Sequence, residues 1–247
     1  MVMAVGLGMD HRSFEPATPL GTAVGMDLGV SLALFKPPAS LSVALENTFS
    51  NVLSGSSSAN FSDMNQLVFP SLRLQLHKGI GNRVDIGISA LPLVKSIPGI
   101  GGSYFYGAEI KACLFRPEEG PTISARVSYN INYLQVNAIE VSTNTITPSI
   151  LISRKMGFAD PYLGMSLQYA TGSLKMSLSP SSLPGAYASL LSGLPQVVLT
   201  QTGRSYAGNF FGGVSFKFPY VGINLVLEGA YNTANMNYVG TKIGFAF

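Results

Sequence analysis

The chain has 247 residues, of which only 11% are charged, and its formal net charge is +3. Soluble domains carry roughly 25% charged residues, so something other than water is expected over part of this surface, and the small, evenly spread positive excess offers no basic stripe for nucleic acid. The single cysteine, Cys113, excludes an internal disulfide.

The N-terminal stretch MVMAVGLGMD has no Lys or Arg ahead of its apolar part and no cleavage site. It does not read as an intact signal peptide, and an exported protein would be present here in its mature or a recombinant form. Met1, Met3, Val5, Leu7 and Met9 alternate with Val2, Ala4, Gly6 and Gly8. Residues 1–20 are therefore expected either as a first strand or as a plug returning through a lumen.

From residue 22 the period is plainly two. Val24, Met26, Leu28, Val30, Leu32 and Leu34 share one face, with Ala23, Gly25, Asp27, Gly29, Ser31 and Ala33 on the other. That is long for a soluble strand and sufficient to cross a bilayer on a tilt. The same alternation recurs at 84–92 and 122–133. Further strands fit 40–49, 66–77, 103–115, 144–155, 161–171, 205–217 and 222–233, with YVGTKIGFAF at 238–247 closing the chain. The expected fold is an all-β, transmembrane, antiparallel up-and-down barrel in one domain, 1–247. About twelve strands are expected, or ten if 40–49 does not span. A helical membrane protein is excluded: the longest charge-free stretch, 176–203, contains three prolines and three glycines.

Charges within strands test this reading, because a lipid-facing charge near the bilayer midplane costs about 2–4 kcal/mol and a lumenal one does not. Asp27, Arg73, Asp85, Glu109, Lys111, Arg126, Lys217, Glu228 and Lys242 all fall on the polar phase and are the expected lumen-lining residues. Arg154 alone falls on the apolar phase, beside a turn where it can snorkel.

Short turns at 35–40, 78–83, 116–121, 157–161 and 218–222 alternate with longer linkers at about 50–65, 93–102, 135–143 and 171–204, as periplasmic turns and extracellular loops do. The hairpin at 231–238 is the one short outer connection. Tyr104, Tyr106, Tyr129, Tyr133, Tyr169, Tyr206 and Tyr231 fall near the outer strand ends, mostly on the apolar phase, and form an expected aromatic girdle at a membrane interface. Within the long extracellular loop 171–204, Leu183, Tyr187, Leu190, Leu191 and Leu194 mark one face of a short helix between Pro184 and Pro195. This helix is expected either to cover the barrel mouth or to touch lipid or a neighbouring subunit.

No chemistry stands out. His11 and His77 do not suggest a metal cluster, His77 reading as a lumen-rim residue, and no G-x-S-x-G occurs. No enzyme, metal or cofactor is expected. The lumen charges are of mixed sign, so an ion-pair network filling the interior is favoured over a selectivity filter.

The alternating end, with Phe245 and Phe247, resembles the C-terminal signal by which the barrel-assembly machinery recognises outer-membrane proteins. The stretches PATPLGTAVGMDLGV, LHKGIGNRVDIGIS, SRKMGFADPYLGMSLQYA and YVGTKIGFAF resemble a proteobacterial outer-membrane barrel family, among them the predatory outer-membrane protein A-like barrels. That resemblance implies a location in the Gram-negative outer membrane and ring-shaped homo-oligomers enclosing membrane lipid. The expected function is a non-enzymatic barrel that self-associates and organises lipid. A porin-like channel for small solutes and a soluble or membrane lipid-binding barrel are the alternatives.

Overall fold

The computed structural model describes residues 10, 12–21, 25–36, 69–91, 100–136, 139–178, 197–218 and 220–246. Ten strands run through them: β1 (Met26–Lys36), β2 (Phe69–Ile80), β3 (Val84–Leu91), β4 (Ile100–Phe115), β5 (Thr122–Val136), β6 (Ile139–Ser153), β7 (Ala159–Leu178), β8 (Val197–Phe218), β9 (Ile223–Asn232) and β10 (Met236–Ala246). No helix occurs among the described residues.

Each strand pairs antiparallel with its chain neighbours, and β1 closes the ring by pairing with β10. The closing ladder runs from Asp27 opposite Ala246 to Lys36 opposite Asn237. With β2 on its other edge, β1 has no free edge, so the barrel closes at ten strands and not at the favoured twelve. Alternation along a segment is a local property, whereas the strand count is set by which edges meet. The strand expectations at 1–9 and 40–49, the loop helix with Leu183, Tyr187, Leu190, Leu191 and Leu194, and Phe247 lie outside the described residues.

Two other expectations are corrected. The linker at 135–143 is mostly strand, since β5 runs to Val136 and β6 resumes at Ile139. The loop at 171–204 shrinks to 179–196, because β7 and β8 extend as a long hairpin paired from Thr171–Arg204 to Leu178–Val197. The β7 extension alternates, with Leu174, Met176 and Leu178 against Ser173, Lys175 and Ser177, so the period-two signal continues beyond 171 although the expected loop includes these residues.

One rim, where β1 begins and β10 ends, carries the β2–β3, β4–β5, β6–β7 and β8–β9 turns; we call it the near rim. Glycines with positive φ allow these turns, Gly81 (φ 77) between β2 and β3 and Gly157 (φ 64) between β6 and β7. The other, far rim carries the β7–β8 hairpin.

The wall is apolar outside and polar inside. Along β1 the odd-phase partners Asp27, Gly29, Ser31, Ala33 and Phe35 are buried inward while Met26, Leu28, Val30, Leu32 and Leu34 are exposed. The same holds around the ring, with Ile88, Ile110, Leu163, Leu227 and Ile243 outward and Asn130, Thr145, Asn224 and Lys242 inward. Water would penalise such an exterior, and hydrocarbon covers it without cost. Closure also leaves no unpaired ladder edge, the condition for backbone to sit in a bilayer.

A single outward charge should expose this asymmetry. Val30→Lys, midway along the outer face of β1, is expected to destabilise the barrel in lipid vesicles by about 2–4 kcal/mol, read from urea unfolding; an equal stability to the parent chain would contradict a hydrocarbon-facing wall.

Candidate functional site

The lumen is where the ionisable side chains converge, and the structure places a chain segment inside it. Asp10 and residues 12–21 thread the interior. Phe14 and Ala17 belong to a buried cluster with Ala33, Leu151, Tyr162, Phe211 and Val226. The phenyl ring of Phe14 lies over Gly240, where an added Cβ would come within 2.6 Å of it, so the wall is hollowed at that strand to receive the segment. Two prolines, Pro16 and Pro19, suit a segment that takes no part in a ladder.

The segment's polar groups are met by the wall. The Asp10 carboxylate accepts from Asn130 Nδ2 (2.6 Å), Thr147 Oγ1 (2.8 Å) and Gln168 Nε2 (2.7 Å). Gln75 Nε2 donates to the carbonyl of Arg12 (2.6 Å) and Ser124 Oγ to that of Ala17 (2.6 Å). Arg126 donates to Ser13 Oγ. The Leu20 amide donates to both Asp85 oxygens, at 3.1 and 3.2 Å. The guanidinium of Arg12 stacks over Tyr238, 3.0 Å from the ring centre. Buried backbone without a ladder must find such partners, and six strands of the wall supply them.

Glu15 is the centre of the charge network. One oxygen lies 3.1 Å from the Lys111 ammonium; the other lies 2.9 Å from His77 Nδ1 and 3.5 Å from Lys242 Nζ. Lys111 also meets Asp85 at 3.0 Å, and Lys242 meets Asp27 at 2.5 Å. Glu109 faces the other imidazole nitrogen of His77 at 3.4 Å. Asp27 is further held by Asn224 Nδ2 (2.6 Å), itself bonded to Ser215 (2.9 Å). Nearby, Glu228 accepts from Tyr162 (2.6 Å) and Tyr238. Arg73 donates to Asn130 (3.3 Å).

All nine sequence-predicted lumen residues point inward. Four of them pair directly between neighbouring strands, Asp85 with Lys111 and Asp27 with Lys242, and Lys111 and Lys242 are joined across the interior through Glu15 of the internal segment. His77, expected at the lumen rim, is instead fully buried at the centre, and Gly87 beside it leaves room that a Cβ would take from its ring. Ligand atoms of Glu15, Asp27 and His77 lie within 4.8 Å of one another, a grouping that sequence spacing does not reveal. The Lys242 ammonium reaches all three, with His77 Nδ1 at 3.4 Å, and supplies there the positive charge that a metal ion would bring. Lys217 differs: it is partly buried, and its ammonium has no ion pair or hydrogen bond among the described residues.

The seven tyrosines of the expected girdle all face outward. Tyr104 stacks on Tyr133 (5.0 Å) and Tyr169 on Tyr206 (4.6 Å) as cross-strand pairs; Tyr106, Tyr129 and Tyr231 are also exposed on this face. Phe245 is exposed near the end of β10. Sequence reasoning singled out none of Asp10, Arg12, Glu15, Tyr162 or Tyr238. The one available signal was the clustering of Asp10, His11, Arg12 and Glu15 just ahead of two prolines in a chain so poor in charge.

No protein-family model matches the chain, and no curated protein matches it. Among solved structures it is similar to the outer membrane protease OmpT from Escherichia coli (7% identity, TM-score 0.44, covering 90% of this chain and 96% of that one). It is also similar to Neisserial surface protein A (12%, 0.37, 90% and 97%) and to Ail of Yersinia pestis (6%, 0.29, 90% and 94%). Likeness at this level says nothing of activity or ligand.

The network makes a graded expectation. Lys242→Met leaves Asp27 and Glu15 buried without their ammonium and is expected to cost about 3–5 kcal/mol, whereas Lys217→Met removes no described partner and should cost far less. Urea unfolding in micelles followed by circular dichroism measures both; equal losses would contradict the pairing.

Proposed function

We propose that this chain is a bacterial outer-membrane β-barrel that is neither an enzyme nor an open pore, and that it works through its outer face and its extracellular connections. The observation that carries this reading is the segment from Arg12 to Gly21 lying in the lumen and bonded to the wall on several sides. Between that segment and β1 and β2, the space lined by Asp10, Arg12, Phe14, Ser31 and Arg73 is about 10 Å³, room for a single water. A porin-like channel needs a continuous aqueous path, and a lipid-carrying interior needs an apolar one; among the described residues, the segment and its charged partners favour neither.

With the lumen filled, the apolar exterior is the surface left for function. Self-association, with membrane lipid organised or enclosed between copies, belongs to this proposal. It is supported by the breadth of that exterior, including Tyr106, Tyr206 and Phe210, and by the resemblance to ring-forming barrels. Folding into the membrane through the barrel-assembly machinery belongs to this proposal and is supported by the alternating C-terminal sequence with Phe245 and Phe247.

Planar-bilayer recording tests the closed lumen: the full chain is expected to stay silent, and Glu15→Lys, which sets a third cation between Lys111 and Lys242, is expected to release the segment and give a steady current. A current from the unaltered chain would overturn the closed reading. Native mass of the detergent-purified protein tests assembly, with a multiple of 26.1 kDa carrying lipid expected and a lipid-free monomer counting against it.

A further inference from the structure

We propose that the near rim carries a binding site for the phosphate of an anionic phospholipid, built around Lys155 and Lys217. The inference rests on the reading of this chain as a membrane barrel and names a lipid class for it.

A cavity of about 340 Å³ opens at this rim, lined by Leu20, Lys155, Phe158, Lys217, Phe218 and Ile223. Its walls come from the internal segment, the β6–β7 turn and the β8–β9 turn. The Lys217 amide donates to the Phe158 carbonyl at 2.8 Å and so ties the end of β8 to the β6–β7 turn, which is itself closed by the Met156–Ala159 bridge. The cavity is therefore a feature of bonded elements.

The two lysines differ from the lumen's other cations. Lys111 and Lys242 each meet two carboxylates, while neither Lys155 nor Lys217 has an ion pair with a described residue. Asp160, on the strand facing Lys217, makes no ion pair with it, and its own Oδ1 has no hydrogen-bond partner. The partly buried ammonium of Lys217 feels Glu15, Asp27 and Asp160 only from beyond ion-pair distance, which leaves its near side open to an anion from outside the chain.

The rest of the lining says which anion. Phe158 stacks between Phe216 and Phe218, 6.2 Å from each ring. Phe158 and Phe218 are 59% and 42% exposed on the outer face, so the site runs from paired cations directly onto hydrocarbon-facing aromatics. A free phosphate would use only the lysines. A phospholipid uses both, its phosphate between Lys155 and Lys217 and its acyl chains against Phe158 and Phe218. The cavity has the volume of a headgroup, and the chains lie outside it along the wall.

The test reconstitutes the full chain with equal amounts of phosphatidylglycerol and phosphatidylcholine and counts retained lipid by native mass. The unaltered chain is expected to retain phosphatidylglycerol preferentially, and Lys155→Gln with Lys217→Gln to reduce that preference by up to about 30-fold. Lys155→Gln alone, at an exposed turn residue, is expected to reduce it about fivefold, which keeps the test decisive if the double variant folds poorly. Phe158→Ser should weaken retention of both lipids. An unchanged preference in the lysine variants overturns the site, as does displacement of the lipid by excess inorganic phosphate, which would assign the lysines to a free anion. A barrel that inserts, stays electrically silent and shows no headgroup preference overturns this site alone; one that conducts overturns the closed-lumen reading and leaves the lipid result standing.

Discussion

The carboxylate of Glu15 lies between the ammoniums of Lys111 and Lys242 and the imidazole of His77, and that contact joins the barrel wall to the segment inside it. Lys111 stands on β4 and Lys242 on β10, so one side chain from outside any strand links opposite parts of the ring. Removing such a group from water is expensive, and its hydrogen bonds and ion pairs must offset the desolvation. Here the offset comes from partners the wall already holds: Asp85 beside Lys111, Asp27 beside Lys242, and Asn224 behind Asp27. Each of the two lysines already holds one wall carboxylate, and Glu15 adds a second that they share.

This pairing explains the inversion of the molecule. A ten-strand ring leaves more space than its wall side chains fill, and the segment from Arg12 to Gly21 occupies it. Small inward residues, Gly240 under Phe14 and Gly87 beside His77, make room where the larger groups sit. Because the interior consumes the polar groups, the exterior is left apolar, and only a bilayer satisfies it. At the near rim the pattern breaks, with Lys155 and Lys217 unpaired beside exposed phenylalanines.

The wall was legible to the extent that hydrocarbon dictated it. Asp27, Arg73, Asp85 and Lys242 each fall on the polar phase of an alternating run, because an outward charge is costly at that depth, so their orientation follows from period alone. The site was less legible. Glu15 and Asp10 lie in a stretch without period, and His77, one polar-phase residue among many, carries no mark of standing at the centre. The hairpin beyond Thr171 was legible only in part: Leu174, Met176 and Leu178 alternate with Ser173, Lys175 and Ser177, but the run is short and leads into the Pro- and Ser-rich stretch 179–185. The grouping of Glu15, Asp27 and His77 spans residues far apart in the chain, and spacing cannot show it.

The sequence by itself determined the class of fold and the two faces of each strand, because alternation and the cost of burying charge in hydrocarbon act residue by residue. The tertiary structure decided the number of strands, since closure depends on the edges of β1 and β10 meeting across more than two hundred residues. It also decided that residues 12–21 lie inside the ring, which depends on what Asp10, Ser13 and Glu15 find there. Those partners come from strands remote in sequence, and only the closed barrel brings them within hydrogen-bonding distance.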